Sequence, residues 1–497
     1  MPFISRRLRA ALLATASATL VAATLPSPEP LGIGDRLFPY LGNPGYDVLS
    51  YDISFTYDGR NTEPLDAVTT IEARTTEPLE RVNLDFARGK VSAVEVNGLT
   101  SDFATTREDL VVQAPTAIPA GVPLRITVRH TSDPNGSRAE GGWLRTSDGL
   151  AMANQADAAH RVFPGNDHPA DKAYFTFRIT APEKLTAVAN GLPVSTQRRG
   201  ATTTWTYRTE HPMATELAQV SIGTSAIVHR TGPHGLPLRD VVPAADRARL
   251  EPWLKKTPDQ MAWMERQVGR YPFETYGLLV ADTSTGFELE TQTLSLFERP
   301  LFTEPGYPEW YVDSVMVHEL AHQWFGNSVS PQSWSDLWLN EGHASWYEAR
   351  YAEEHADQPL ERRMRQAYTR SDAWRAAGGP RHIRTPRSRA TRSVCSGRWC
   401  TTAVRSSSTP CGRRSARRRS TGWNGPGCGA TRTSPRRRRT SPASPPTSRA
   451  ATWVRSSRRG CMARRHRRCP GTRTGAARSP RPDEPGAGGA GSGGRRR

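Results

Sequence analysis

Residues 317–346 read V-H-E-L-A-H-Q-W-F-G-N-S-V-S-P-Q-S-W-S-D-L-W-L-N-E-G-H-A-S-W. His318 and His322 are four residues apart, so on a helix they lie one above the other on the same face. Glu319 stands between them. This H-E-x-x-H pattern offers two imidazoles to a zinc ion and a carboxylate to act on the attacking water. The stretch therefore predicts a helix that carries part of a zinc site.

A zinc ion in a hydrolase takes three protein ligands and keeps one position open for water, so a third ligand must come from another element. Glu341 follows His322 by nineteen residues, inside the sequence N-E-G. The Asn, Ser and Pro residues between 327 and 333 are typical of a connection between two helices. We expect Glu341 to complete the site from a second helix, with Glu319 as the catalytic base. The alternative is a chance five-residue pattern on a solvated helix face.

The motifs H-E-L-A-H at 318–322 and W-L-N-E-G at 338–342 resemble the zinc-binding core of the aminopeptidase N family of gluzincins. The resemblance implies a thermolysin-like α+β catalytic domain that holds one Zn2+ ion through His318, His322 and Glu341. It also implies peptide substrates with a free N-terminus. His343 departs mildly from the family, in which an aromatic or apolar residue is more usual after the glycine.

Two upstream segments resemble the same family. Residues 163–173 read F-P-G-N-D-H-P-A-D-K-A, which is similar to the family's F-P-x-x-D-x-P-x-x-K-A segment. We expect Asp167 and Lys172 of this segment to form a structural salt bridge. Gln155 stands where the family places a Gln or Glu that lines the first specificity pocket, and the resemblance implies the same role here.

Residues 286–292 read G-F-E-L-E-T-Q and resemble the family's G-x-M-E-N exopeptidase motif in a diverged form. Phe287 stands at the motif's glycine, and Gly286 lies just before it. Glu290 matches the carboxylate that binds the substrate's α-ammonium group in the family. A fixed negative charge at the blind end of a cleft pairs with a cation that internal peptide bonds lack. Glu290, Gln155 and Gly286 are thus the predicted substrate-binding residues; the alternative for Glu290 is an exposed carboxylate on a strand.

Residues 381–497 differ from the rest of the chain in composition. They contain 31 Arg, no Lys and two acids, whereas the preceding residues contain 36 Lys and Arg and 46 acids. This stretch also lacks Leu, Phe and Tyr, so it cannot bury a core and is predicted to be disordered. It contains every cysteine of the chain: Cys395, Cys400, Cys411, Cys428, Cys461 and Cys469. Residues 1–380 therefore contain no cysteine and carry no disulfide.

Two interpretations of residues 379–497 remain. Thirty-one arginines would bind phosphate, which predicts a non-catalytic protein with a nucleic-acid-binding tail. We favour the hypothesis that these residues are the frameshifted translation of a GC-rich gene, in which case no nucleic-acid partner is expected. Family members carry a tyrosine, roughly sixty residues beyond the third ligand, that donates to the oxyanion. Here the last tyrosine is Tyr368, 27 residues after Glu341.

The first 30 residues are typical of a secretory signal. Arg6, Arg7 and Arg9 form a positive start, residues 10–25 are apolar or small, and prolines follow at 26, 28 and 30. The apolar stretch is too short and too rich in alanine for a comfortable membrane span, so no stable membrane anchor is expected. The pattern predicts a secreted, extracellular protein; the alternative is a cytoplasmic N-terminal helix.

The chain is therefore predicted to be a mixed α and β multidomain protein. A signal peptide at 1–30 precedes an antiparallel β-domain at 31–231, in which apolar and polar residues alternate between turn signals. An incomplete catalytic domain follows at 232–378, and the non-family tail follows at 379–497. The predicted function is a secreted zinc aminopeptidase, impaired because the oxyanion tyrosine and the C-terminal domain are missing. A zinc endopeptidase is the second enzymatic alternative.

Overall fold

A computed structural model describes residues 32–376 of the chain. The predicted signal segment and the arginine-rich tail lie outside the described residues. Within them the chain forms strands first and helices later. The strands are β1 Tyr46–Thr56, β2 Leu65–Thr75, β3 Leu79–Asp85, β4 Val91–Val96, β5 Leu99–Thr100, β6 Phe103–Thr105, β7 Asp109–Ile118, β8 Pro123–Ser132, β9 Gly142–Arg145, β10 Leu150–Ala153, β11 Tyr174–Pro182, β12 Thr186–Ala189, β13 Leu192–Arg199, β14 Thr202–Arg208, β15 Val220–Gly223, β16 Ser225–Thr231, β17 Pro237–Pro243, β18 Leu278–Ala281 and β19 Ser295–Glu298. The helices are α1 Arg247–Leu254, α2 Thr257–Val268, α3 Arg299–Thr303, α4 Glu309–Ala321, α5 Trp338–Ala356 and α6 Leu360–Ala376.

The predicted N-terminal β-domain is confirmed as three sheets that share one core. An eight-stranded sheet runs in the order β13-β14-β11-β1-β2-β8-β4-β5, beside a four-stranded sheet β12-β15-β10-β9 and a three-stranded sheet β3-β7-β6. Neighbouring strands are antiparallel except β1 and β11, which pair in parallel. Along β1 the buried positions change from even to odd residue numbers at a register shift between Val48 and Ser50. A bulge of this kind explains why the alternation in the sequence is only partial.

The catalytic part is built from a second four-stranded sheet, β16-β17-β18-β19, with the helices packed against it. Strand β16 pairs with β17 along its whole length, so the predicted boundary at 231/232 falls inside a hairpin. Strands β17, β18 and β19 run parallel to one another. Apolar residues of α2 and α4 fill the core between the sheet and the helices, among them Met261, Met264, Met316 and Leu320. No helix in the described part of the chain is long and apolar enough to cross a membrane.

A buried charge cluster holds residues 160–168 inside the N-terminal domain. His160 Nδ1 lies 2.6 Å from Asp167 Oδ2, and His160 Nε2 lies 3.2 Å from Glu108 Oε2. Asp167 also accepts a hydrogen bond from the hydroxyl of Thr215 at 2.7 Å. The predicted salt bridge between Asp167 and Lys172 is therefore wrong, because the carboxylate turns inward to His160. Lys172 turns the other way and donates to the backbone of the catalytic part.

This cluster predicts a loss of stability at alkaline pH. Burial by itself would lower the pKa of His160, but its hydrogen bonds to Asp167 and Glu108 outweigh burial and raise the pKa to about 9. Because the folded-state pKa exceeds the unfolded value of about 6.5, the stabilisation is complete below about pH 6.5 and is lost as pH rises through about 9. The full difference corresponds to about 3 kcal/mol.

Urea unfolding at pH 6.5 and pH 9.5 tests this expectation. The wild-type chain should lose more stability between these pH values than His160→Gln, since only the wild type has an imidazolium to lose. His229→Gln is the matched control, because His229 is exposed on β16. Equal pH dependence in the wild type and His160→Gln would contradict a charged His160.

Candidate active site

The H-E-x-x-H motif lies at the end of α4. Helix α4 covers Glu309–Ala321, and His322 follows as its C-cap with helical dihedral angles. The rings of His318 and His322 lie edge to face with their centroids 4.8 Å apart. Both side chains are buried. The prediction of two imidazoles one turn apart on a helix is confirmed.

Glu341 reaches the same place from α5. A short connection leads from α4 to a 3-10 turn at Trp334–Asp336, and α5 then begins at Trp338 with Glu341 in its first turn. Glu341 Oε2 lies 3.6 Å from His318 Nε2. One ligand atom from each of His318, His322 and Glu341 lies within 4.8 Å of the others. The fold thus brings the predicted metal ligands together in a buried position.

The connection before α5 is fixed by the N-terminal segment of the chain. The carboxylate of Asp35 accepts hydrogen bonds from the backbone N–H of Trp334 at 2.8 Å and from the hydroxyl of Ser333 at 3.0 Å. Its other oxygen accepts from the N–H groups of Leu37 and Phe38. A residue about three hundred positions upstream in the chain therefore helps to set where α5, and with it Glu341, begins.

Each histidine is oriented through its Nδ1 atom. His318 Nδ1 lies 3.1 Å from Glu348 Oε2, and His322 Nδ1 lies 3.2 Å from the carbonyl oxygen of Phe325. Because a carbonyl oxygen only accepts, His322 carries its proton on Nδ1 and leaves Nε2 free to bind a metal. The sequence analysis missed Glu348. The spacing could have indicated it, because Glu348 lies seven residues after Glu341, two helical turns further on the same face.

The donor set fits zinc. Two imidazole nitrogens and one carboxylate oxygen are the ligands of catalytic zinc sites that keep one position open. Burial opposes the charge of His318, but hydrogen bonds to Glu341 and Glu348 raise its pKa well above the usual value. Burial likewise opposes the charge of Glu341, yet the hydrogen bond from His318 lowers its pKa. A cation bound between these three side chains would take over the role of the shared proton.

Glu319 lies beside this set, buried on α4. Burial raises its pKa well above the usual value; His318 opposes the rise, and the neighbouring Glu290 and Glu341 add to it. The Oε2 atom of Glu319 is buried and makes no hydrogen bond to any described residue. An acceptor without a partner beside the metal ligands is where a water molecule would be bound. The assignment of Glu319 as the catalytic base stays a prediction that this geometry suits.

Glu290 is buried next to the metal ligands rather than exposed on a strand. Its Oε1 atom accepts a hydrogen bond from Gln155 Nε2 at 2.6 Å and lies 3.8 Å from His322 Nδ1. Its backbone carbonyl accepts from Asn327 Nδ2 at 2.6 Å and from Gln323 Nε2 at 3.2 Å. Glu290, Glu319 and His322 bring one oxygen or nitrogen each within 4.8 Å of one another. The carboxylate is therefore held by Gln155 and lies within 4.8 Å of a nitrogen of His322, one of the predicted metal ligands.

The N-terminal domain supplies part of this site. Gln155 comes from the segment after β10, and Lys172 donates to the carbonyls of Asn327 at 2.6 Å and Ser328 at 3.2 Å. Asn327 in turn holds the backbone of Glu290. Sequence analysis missed Asn327 and Gln323 as supports, although Gln323 directly follows the H-E-x-x-H motif and Asn327 lies five residues after His322.

Gly286 stands apart from these contacts. It lies on an exposed turn with φ +79°, and an added Cβ atom would meet nothing within 4 Å. Its N–H donates to Glu298 Oε2 at 2.8 Å, so this donor is already engaged within the turn. Its predicted contact with substrate stays a prediction.

A buried His-His-Glu set, with a glutamate between the two histidines on α4, is the arrangement typical of zinc metallopeptidases. The chain matches the M1 peptidase family in two segments. The Peptidase family M1 domain matches residues 254–379, and the Peptidase M1 N-terminal domain matches residues 142–217.

Known relatives agree with this assignment. Glutamyl aminopeptidase of Sus scrofa is 31% identical over 215 residues, which are 40% of this chain and 22% of that protein. Aminopeptidase N of Streptomyces lividans is 24% identical over 316 residues, 61% of this chain and 36% of that protein. The chain therefore spans only a minor part of the length of these relatives.

Solved structures share the fold. The M1 zinc metallopeptidase of Deinococcus radiodurans is 28% identical with a TM-score of 0.61, and the match covers 68% of this chain and 77% of that one. A mutant of the same enzyme, bound to a Tyr-Ser-Ala substrate, is 27% identical with a TM-score of 0.61. The match covers 69% of this chain and 79% of that one. Both comparisons include the two domains described above.

Proposed function

We propose that the chain is a zinc aminopeptidase that removes single residues from the N-termini of peptides. The observation that carries the proposal is the buried carboxylate of Glu290, which is fixed by Gln155 at 2.6 Å and lies beside His322 and Glu319. An anion at this place pairs with the α-ammonium group of a peptide and places the first peptide bond at the metal. The relatives named as aminopeptidases, and the solved enzyme that binds Tyr-Ser-Ala, support the same substrate class.

The residues divide the chemistry between them. His318, His322 and Glu341 would hold zinc, which supplies Lewis-acid polarisation of the scissile carbonyl when bound. Glu319 accepts a proton from the attacking water and passes it to the leaving amine. Glu290 and Gln155 bind the ammonium group and exclude peptides that extend further toward their N-terminus.

Glu290→Gln tests the anchor. The amide keeps the acceptor for Gln155 but loses the charge, so we expect kcat/KM for peptides with a free N-terminus to fall by about 10- to 100-fold. Release of the first residue is followed by mass spectrometry, with the same peptides acetylated at the N-terminus as blocked substrates. The wild-type chain should leave the acetylated peptides intact.

Glu309→Gln is the control, since Glu309 is 72% exposed and pairs with Lys256 at the surface. It should leave kcat/KM nearly unchanged. The alternative, a zinc endopeptidase, predicts the opposite pattern. Acetylated peptides would then be cut as fast as free ones, and Glu290→Gln would have no effect.

We also infer that hydrolysis by this chain is slow. The family resemblance calls for a tyrosine donor to the oxyanion, and no tyrosine follows Tyr368. Loss of one oxyanion donor costs roughly 10²- to 10³-fold in rate. Sequencing the gene across codons 370–400 tests the frameshift hypothesis: one missing or extra base would restore a family-like reading frame. An unchanged sequence would mean that the gene itself is interrupted.

Secretion is proposed from the signal-like sequence at 1–30. The measurement is the N-terminal sequence of the protein recovered from the culture medium and from the cells. A protein that stays in the cells with residues 1–30 intact would count against export.

A further inference from the structure

Helix α6 is joined to the metal site through one arginine. Arg363 Nη2 donates to Glu348 Oε1 at 2.5 Å. The other oxygen of the same carboxylate, Glu348 Oε2, lies 3.1 Å from His318 Nδ1. Three side chains from α6, α5 and α4 thus form a continuous line that ends at the first zinc ligand.

Both side chains of the Arg363–Glu348 ion pair are largely shielded from solvent. The side chain of Arg363 is 18% exposed and that of Glu348 is 5% exposed. A largely buried pair with a direct hydrogen bond is screened less by water and salt than the exposed pair of Arg365 and Glu361 on α6. The fixed planar fork of the guanidinium also restricts the rotamer of the carboxylate that it binds. Arg363 is therefore placed to control how Glu348 faces His318.

The turn between α5 and α6 sets where α6 begins. The chain leaves α5 through Asp357, which has left-handed dihedral angles, and the N–H of Leu360 then donates to Glu353 Oε1 at 3.0 Å. Arg363 lies one turn after Leu360, so the start of α6 places it over Glu348. The contact is a product of the α5–α6 turn, which no motif in the sequence marks.

We propose that Arg363 is a positioning residue of the zinc site: its guanidinium holds the Glu348 carboxylate against His318 Nδ1, and this tightens zinc binding. A histidine ligand whose second nitrogen is held by a carboxylate keeps its ring orientation and is a better donor to the metal. Without Arg363, the Glu348 carboxylate loses the donor that restricts its rotamer. His318 then spends less time in the orientation that binds metal.

Zinc affinity of the full chain tests the proposal directly. Arg363→Met retains most of the aliphatic stem and removes the donors, and we expect its zinc dissociation constant to rise by about 10- to 100-fold. The constant is measured by competition with a chromophoric chelator. Arg363→Lys keeps the positive charge but lacks the planar guanidinium. Its zinc dissociation constant should therefore lie between those of the wild type and Arg363→Met.

Arg365→Met is the matched control on the same helix. Arg365 is 75% exposed and pairs with the exposed Glu361, so its loss should leave zinc affinity within roughly twofold of the wild type, as expected for an exposed pair. The double variant Arg363→Met with Glu348→Gln should bind zinc no more weakly than Glu348→Gln alone, because Arg363 acts through Glu348.

The outcomes separate this proposal from the metal site itself. A wild-type chain that binds no zinc would overturn the metal site, whereas unchanged affinity in Arg363→Met would overturn only the positioning role. A full effect of Arg363→Met in the Glu348→Gln background would overturn it as well. If Arg363→Met melts before the wild-type apo chain, Arg363→Gln replaces it as a smaller change with the same expected loss. The assay needs no hydrolysis, so slow turnover does not obscure it.

Discussion

Replacement of Glu319 by glutamine is expected to lower zinc-dependent release of N-terminal residues by about 10²- to 10⁴-fold, the usual contribution of a general base. The amide has the same shape but accepts no proton from water. The zinc ligands are separate side chains, so zinc content should stay at the wild-type level. Because turnover by the parent chain is expected to be slow, products are counted by mass spectrometry over long incubations.

A matched control lies on the same helix. Glu309→Gln changes an acid of α4 that is 72% exposed and pairs with Lys256 at the surface. It should leave both rate and zinc content unchanged. Retained hydrolysis in Glu319→Gln would show that another group takes the proton, and loss of zinc from it would show that Glu319 is needed to assemble the site.

Replacement of His322 by alanine is expected to abolish zinc binding and the stability that zinc confers. A metal that binds only the folded state stabilises it by about 4 kcal/mol at a free concentration one thousand times its dissociation constant. Without His322 only one imidazole and one carboxylate remain in the donor set, so this gain should disappear. Thermal unfolding with and without added zinc measures the difference.

His229→Ala serves as the control, because His229 is exposed on β16 and has no place in the site. Its melting temperature should rise with zinc as much as that of the wild type. An equal rise in His322→Ala would mean that zinc is bound elsewhere. A chelator should remove the rise with zinc from the wild type and change nothing in His322→Ala if one metal site accounts for the effect.

The zinc ligands could be predicted because their arrangement is almost local. His318 and His322 meet through the pitch of a single helix, and spacing alone fixes that. Glu341 depends on one short connection, and its place at the start of α5 agrees with the expectation. The strands of the N-terminal half could also be predicted, since alternation of apolar residues follows from the geometry of a strand.

The contacts that hold the site residues in place could not be predicted from the sequence in the same way. Gln155 meets Glu290 across 135 residues, and Lys172 meets Asn327 across 155. Such contacts depend on how two domains pack, which no local pattern encodes. The prediction for Asp167 failed for a different reason: charge complementarity selected Lys172, whereas the local turn of the chain placed His160 against the carboxylate.

The sequence by itself determined the metal chemistry and the two structural classes of the chain, because helix pitch and strand alternation are properties of short segments. Only the tertiary structure decided what orients those groups: Glu348 and Arg363 behind His318, and Gln155 against Glu290. These partners lie on different elements or different domains. Their contacts exist only when burial of the shared cores has fixed the helices and sheets relative to one another.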